Sequence, residues 1–353
     1  MKCCNFLTNN RFMFIFILNV LIFTILYFHG CFDFFKSNEN ANKTNLNQSM
    51  SNATDASKQN NTNLTIKPNN TNGEIDIFKR EDGNNTDSDE LSNFNFKNLL
   101  ISIFPTGKSD AILLNLDNKK FILIGTGSLS YTNILDNFFS LYGVKQIDLL
   151  ILPTEMDSQI GAFQLLAKKY VIDEIWKYPL EFSKQEFKDS LYIAKLNGSR
   201  VLNVNKGFKK NFSDLEISIL NPDKSLLNSV EQDSLVIKLN YKKFCMLIFS
   251  ESEMMIESKL KGNNDLGKCN VLKASRHGGA TATSDLLIRA VEPEYILFTT
   301  DGNWDSPHST TLERIKIYNA TAKTKVNVYT THKNGKIDIS TNGIDYNIYV
   351  QNI

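Results

Sequence analysis

The chain has 353 residues, 42% hydrophobic and 22% charged, with Lys+Arg 39 against Asp+Glu 38 for a formal net charge of +1. Such a length suits one large domain or two ordinary ones and can bury a sizeable core. The charge balance gives no global reason to expect a polyanionic partner. A mean hydropathy of -0.25 excludes a polytopic membrane protein but leaves room for a single span. These averages conceal three unlike stretches.

The first, residues 1–36, reads as a membrane signal. Phe12–Phe28 is an uncharged run interrupted only by Asn19 and Thr24, with Lys2 and Arg11 before it and Asp33, Lys36 and Glu39 after it. Positive charge on the N-terminal side places the N-terminus in the cytoplasm. The run lies at the short edge of what spans a bilayer and overlaps a long signal-peptide core. A cut after Gly30 would put Phe28 at a position that normally takes a small residue, which favours an uncleaved signal-anchor; secretion after cleavage is the alternative.

The second stretch, residues 37–97, is rich in Asn, Ser, Thr, Asp and Lys and has almost no branched apolar residue before Ile75–Phe78. It cannot bury enough surface to offset its ordering entropy, so a disordered linker is expected. Asn42, Asn47, Asn52, Asn60, Asn63, Asn69 and Asn84 each begin an Asn-X-Ser/Thr sequon, as do Asn197, Asn211 and Asn319 further on. They mark a glycosylated stalk outside the cytoplasm, or simply chance sequons in an Asn-rich composition.

The third stretch, residues 98–353, alternates short apolar strands with amphipathic helices. Strands are expected at Leu99–Phe104, Ala111–Leu116 and Lys120–Ile124, the last two joined by the turn-prone Asp117-Asn118. Helical spacing follows at Tyr131–Tyr142, then a strand covered on both faces at Asp148–Leu152. Helices at Gly161–Tyr170 and Ser183–Leu196 alternate with strands at Glu174–Tyr178, Arg200–Val204 and Glu216–Leu220. A hairpin at Ser234–Asn240 and Phe244–Phe249 opens the second half. Helices at Glu253–Lys259, Ser284–Val291 and Thr310–Tyr318 then alternate with strands at Asn270–Lys273, Glu294–Thr299 and Lys325–Tyr329. Lys336–Ser340 and Tyr346–Val350 close the chain. The pattern is α/β and compatible with a four-layer αβ/βα sandwich, which periodicity alone does not single out.

Seven short segments, in order, resemble the metallo-β-lactamase fold, and most of all the hydrolase-like C-terminal domain of the ComEC competence protein family. Pro105–Leu114 is similar to that family's "DVGQGDAILI", Ile122–Gly127 to "ILIDTG", and Ile147–Ala162 to "IDLLILTHPHADHIGG". Asp233–Leu239 resembles "NSLVLRL", Leu247–Ser252 "FLFTGD", Val271–Gly279 "VLKVPHHGS", and Ser306–Arg314 "HPHPEVLER". The resemblance implies a metallo-β-lactamase-like sandwich, and the two stretches before it add the expected transmembrane anchor and linker.

The same segments depart from the family's chemistry. In active members the HxHxDH loop supplies imidazole and carboxylate ligands for metals that activate water. The matching positions here are Thr154, Met156, Ser158 and Gln159, none a good zinc ligand. The Asp of "TGD" falls on Ser252, the Asp of "DTG" on Gly125, and Arg276 replaces one histidine of "HHG"; His277 and the pocket-edge His308 remain. His29, His277, His308 and His332 are too few and too scattered to fill a two-metal zinc site. Two readings follow. In one, Glu155, Asp157, Glu251 and His277 rebuild a carboxylate-rich site for Mg²⁺ or Mn²⁺, with Zn²⁺ as the family alternative. In the other, the site is catalytically dead and holds no cofactor.

Weaker motifs are Gly125-Thr126-Gly127 as a phosphate loop, Ser250 and Ser275 near His277 as a hydrolytic set, and basic clusters at Lys206, Lys209, Lys210 and Lys242-Lys243. Cys3 and Cys4 are cytoplasmic in this topology and candidates for palmitoylation. Cys245 and Cys269, in or beside strands that could be neighbours, suit either a disulfide or two buried thiols. The expected function is a membrane-anchored, degenerate domain that binds or scaffolds an unidentified protein or small molecule. The alternative is a divergent metal-dependent hydrolase of phosphodiesterase or nuclease type, with nucleic acid as partner by family analogy alone.

Overall fold

The computed structural model describes residues 99–303 and 306–351. The expected membrane span and the Asn-rich linker lie outside them. Among the described residues no helix is long and apolar enough to cross a membrane.

The first half begins with an antiparallel meander: β1 (Leu99–Ile103), β2 (Ile112–Leu116) and β3 (Lys120–Ile124). Asp117 and Asn118, with φ of 54° and 55°, make the β2–β3 turn, as their residue types suggested. After α1 (Thr132–Leu141), β4 (Gln146–Ile147) leads into β5 (Leu149–Leu152). Next come the short α2 (Asp157–Ile160), α3 (Phe163–Lys169), β6 (Val171–Ile172), β7 (Glu174–Lys177), α4 (Gln185–Leu196) and β8 (Arg200–Asn203). Strands β3, β5, β7 and β8 pair in parallel; every residue of β5, a continuous apolar run, is buried, and so is every residue of β7, its Glu174 and Lys177 included.

The second half repeats that plan. Strands β9 (Lys209–Phe212), β10 (Leu215–Asn221), β11 (Val236–Tyr241) and β12 (Phe244–Phe249) are antiparallel. Helices α5 (Met254–Gly262), α6 (Asp285–Val291) and α7 (Ser309–Thr321) then alternate with β13 (Val271–Lys273), β14 (Tyr295–Phe298) and β15 (Asn327–Thr330), all parallel to β12. A short α8 (Thr331–Asn334) leads to β16 (Ile337–Thr341) and β17 (Tyr346–Val350), which return to the first sheet. The sheets have the orders β17-β16-β1-β2-β3-β5-β7-β8 and β15-β14-β13-β12-β11-β10-β9.

Alternation along β12 identifies the layers. Phe244, Met246 and Ile248 join the core between the sheets, while Cys245, Leu247 and Phe249 join a second core with Ile256, Leu260, Leu287, Ile288 and Ile315 of helices α5, α6 and α7. Leu135, Phe139, Phe163, Leu166 and Phe187 of α1, α3 and α4 cover the first sheet in the main core. The result is the mixed αβ/βα sandwich. Cys245 and Cys269 are disulfide-bonded, with Cα atoms 4.6 Å apart, which decides between the two readings their positions allowed.

Candidate active site

The C-terminal ends of the parallel strands in both sheets converge, the place where open α/β sheets offer a binding crevice. In the first sheet this end carries the segments after β3 and β5. Gly125 N–H donates to Ile151 O at 2.9 Å, Thr126 N–H to Gln159 O at 2.7 Å, and Gly127 N–H to Asp110 O at 2.8 Å. Asp110 N–H in turn donates to Ser158 O at 3.0 Å. A Cβ at Gly125, whose φ is +68°, would stand 2.4 Å from Asp110 O, so only glycine fits here. These backbone bonds weld Asp110, Gly125 and α2 into one unit.

Asp110 is the hub, 4% exposed. Its Oδ2 accepts from the Lys273 ammonium and from Gln159 Nε2 at 2.7 Å, while Oδ1 accepts from Thr299 Oγ1 at 2.5 Å. Burial alone pushes this carboxyl up; the charges of Lys273 and His277 and the bonds from Lys273 and Thr299 outweigh it and hold Asp110 below the ordinary range. Lys273 ends β13, is fully buried and also donates to Phe249 O at 3.3 Å. The hydroxyl of Thr299 has one proton and gives it to Asp110, so it accepts from His277 Nδ1–H across their 2.9 Å contact. With Nδ1 held there, Nε2 faces Glu251 Oε1, 3.6 Å away. Glu251 Oε1 accepts from Gln159 Nε2 at 2.9 Å.

The other positions that match ligands of the resembling family have other partners. Thr154 Oγ1 donates to Val230 O at 3.0 Å. Met156 is half-buried at the start of α2, and its carbonyl accepts from Gln159 N–H at 2.8 Å. Ser158 contributes its carbonyl to Asp110. Ser252 Oγ lies 3.1 Å from Ser234 Oγ. Arg276 and His277 stand in left-handed conformations, φ 50° and 55°, and Arg276 reaches out to the Glu253 carboxylate. Glu253 also receives Thr281 Oγ1 at 2.8 Å and Gln232 Nε2 at 3.0 Å, joining the segment before β11 to the one after β12. His308 caps α7, its Nδ1 accepting from Thr310 N–H at 3.1 Å.

The structure brings Glu251 and His277 together but not Glu155 and Asp157 with them. Glu155 accepts from Ser183 N–H at 2.5 Å, and Asp157, its side chain 64% exposed, pairs with Lys184 at 2.6 Å. Both carboxylates hold the segment before α4. Among the described residues no group of three or more His, Cys, Asp or Glu is arranged to hold a metal ion. The donor set does not fit a two-metal centre: hydroxyl, amide and thioether groups fill the loop, and the best carboxylate is bound to an ammonium. Nor do Ser250, Ser275 and His277 form a hydrolytic set, because Ser275 Oγ gives its one proton to the Ser252 carbonyl while His277 faces Thr299. The basic residues also have local partners, Lys206 with Asp265 at 2.5 Å, Lys210 with Glu174 at 3.0 Å and Lys209 with Glu216 at 3.3 Å.

Sequence reasoning singled out neither Asp110 nor Lys273, although both match in type within the "GQGDA" and "VLKVP" segments. Thr299 had no sequence signal; the fold alone places it.

Fold and site define the class: a metallo-β-lactamase-type sandwich, with its crevice at the joined strand ends and its metal-ligand positions substituted. The chain resembles the ComEC type of this class. It is 23% identical over 257 residues to ComE operon protein 3 of Bacillus subtilis, covering 67% of this chain and 32% of that protein. It is 28% identical over 106 residues to Recombination protein 2 of Haemophilus influenzae, covering 30% of this chain and 13% of that one. The chain therefore spans a third or less of these relatives' lengths. Among solved structures, the metallo-β-lactamase fold protein YhfI of Bacillus subtilis aligns with a TM-score of 0.47 at 8% identity, over 69% of this chain and all of that one. No family model matches the sequence.

Proposed function

We propose that this is a catalytically degenerate domain of the ComEC type, retained for binding or scaffolding and held at a membrane by the Phe12–Phe28 segment with the domain outside the cytoplasm. One observation carries the loss of catalysis: Gln159, at the last histidine position of the metal loop, spends its amide donors on Asp110 and Glu251. The nitrogen in this place presents two N–H donors to carboxylates, where the histidine of the resembling loop presents an imidazole lone pair to a metal. The disulfide between Cys245 and Cys269 supports an oxidising compartment. The occupant of the crevice is an unidentified protein or small molecule.

Elemental analysis of the purified full chain, together with hydrolysis of a model phosphodiester in Mn²⁺ and in Zn²⁺, tests the reading. Substoichiometric metal and no turnover are expected. Thr154→His, Met156→His, Ser158→Asp, Gln159→His and Ser252→Asp combined should then create metal binding. Stoichiometric metal with phosphodiesterase activity in the wild type would overturn the proposal in favour of a divergent hydrolase, the reading that sequence similarity to ComE operon protein 3 supports.

A further inference from the structure

We infer that Gln159 and Glu251 form a metal-independent clamp between the two sheets at the position where the resembling family holds its metals. The inference rests on the loss of the metal ligands proposed above. Gln159 belongs to α2, which follows β5 of the first sheet, and Glu251 follows β12 of the second. Gln159 is fully buried and Glu251 is 5% exposed.

Metals at a sheet-to-sheet site neutralise converging carboxylates and cross-link the elements that carry them. Here the carboxylates of Asp110 and Glu251 converge on one nitrogen, at 2.7 and 2.9 Å. A primary amide nitrogen carries two hydrogens directed apart, so each carboxylate receives its own donor. A histidine in this place has one N–H per ring nitrogen and cannot serve both from a single atom. The two substitutions are complementary: Glu251 supplies a carboxylate where "FLFTGD" has glycine, and Gln159 supplies the donor for it. Gln159 Oε1 is buried without a hydrogen-bond partner among the described residues. Reversing the amide would set that oxygen against two carboxylates, so the donor contacts fix its orientation. Lys273 and Thr299, both from the second sheet, add further links to Asp110 of the first.

The test is a double-mutant cycle on the full chain, with Gln159→Met, Glu251→Met and both together, read as Tm in EDTA and in Zn²⁺. Each single change leaves a buried partner unsatisfied and should lower Tm by roughly 3–8 °C. The double variant should fall by clearly less than the sum, because it leaves neither partner of the Gln159–Glu251 bond stranded. EDTA should not change any of these shifts. Glu251→Gln keeps an acceptor for Gln159 and should retain most of the wild-type Tm; if Gln159→Met does not fold, the gap between Glu251→Gln and Glu251→Met carries the same information. Additive losses, no gap between those two variants, or a wild-type Tm that falls by several degrees in EDTA would overturn the clamp. Metal found in a protein whose cycle is coupled and EDTA-insensitive would sink the proposed loss of catalysis and leave the clamp standing.

Discussion

Replacing Lys273 with Met is the most direct probe of the site's electrostatics. The Lys273 side chain is 0% exposed and that of Asp110 5%, so the pair is shielded from solvent and from salt. Removing one partner of a buried ion pair typically costs about 3–5 kcal/mol, since the survivor is left charged in a poor solvent. Asp110 keeps its bonds from Gln159 and Thr299, which places the expected loss near the lower end, about 3 kcal/mol. For a domain of this size that corresponds to a Tm lower by roughly 6–12 °C. Urea denaturation at neutral pH, in low salt and in 0.5 M NaCl (roughly a fourfold shorter screening length than at 0.03 M), measures it. Combining Asp110→Asn with Lys273→Met removes the stranded charge and should recover part of the loss. A cost below about 1 kcal/mol, or one that salt abolishes, would refute the view that this pair is buried and structural.

Three further outcomes are expected. Gly125→Ala puts a methyl 2.4 Å from Asp110 O at a φ of +68°, so it should cost about 2–5 kcal/mol in chemical denaturation or prevent folding. Replacing both Cys245 and Cys269 with Ser frees a loop whose ends are 24 residues apart, and should cost about 3.5 kcal/mol by loop entropy, read as a shift in urea midpoint. Glu257, fully buried, accepts from the amides of Thr283 at 2.6 Å and Ser284 at 2.9 Å; burial nevertheless raises its pKa above the ordinary carboxylate range. The folded state then binds the proton more tightly than the unfolded one, so wild-type stability falls as pH rises from the unfolded pKa through the folded one. Relative to Glu257→Gln, the wild type should lose stability between acidic and neutral pH, read by urea denaturation at both; a pH-independent difference would contradict it.

The sandwich was legible because its buried strands are short apolar runs with turn residues between them, as at Leu149–Leu152 and Phe244–Phe249. Strand β9 escaped notice because Lys209-Lys210-Asn211-Phe212 has no apolar pattern; it is an edge strand paired only with β10, where charge is compatible with pairing and discourages aggregation. Helix α2 escaped because it is a single turn inside the motif loop. At the site, the substituted positions could be read from the segments, but their new partners could not. Glu155 and Asp157 looked like ligands because carboxylates next to a metal loop are plausible donors, yet one residue of displacement aims them at Ser183 and Lys184. Lys273 and Thr299 lie 163 and 189 positions along the chain from Asp110, a proximity only the closed sandwich creates.

The close approach of Gly125 to Asp110 bears on the order in which changes at this crevice could be undone. The resembling segment has aspartate at that position, but in this chain a side chain there would meet the backbone before it reached any ligand. Restoring that carboxylate first would break the weld between the β3 turn and Asp110, so the intermediate would lose its frame before gaining a function. Position 125 can therefore take a side chain only after the backbone around Asp110 has moved.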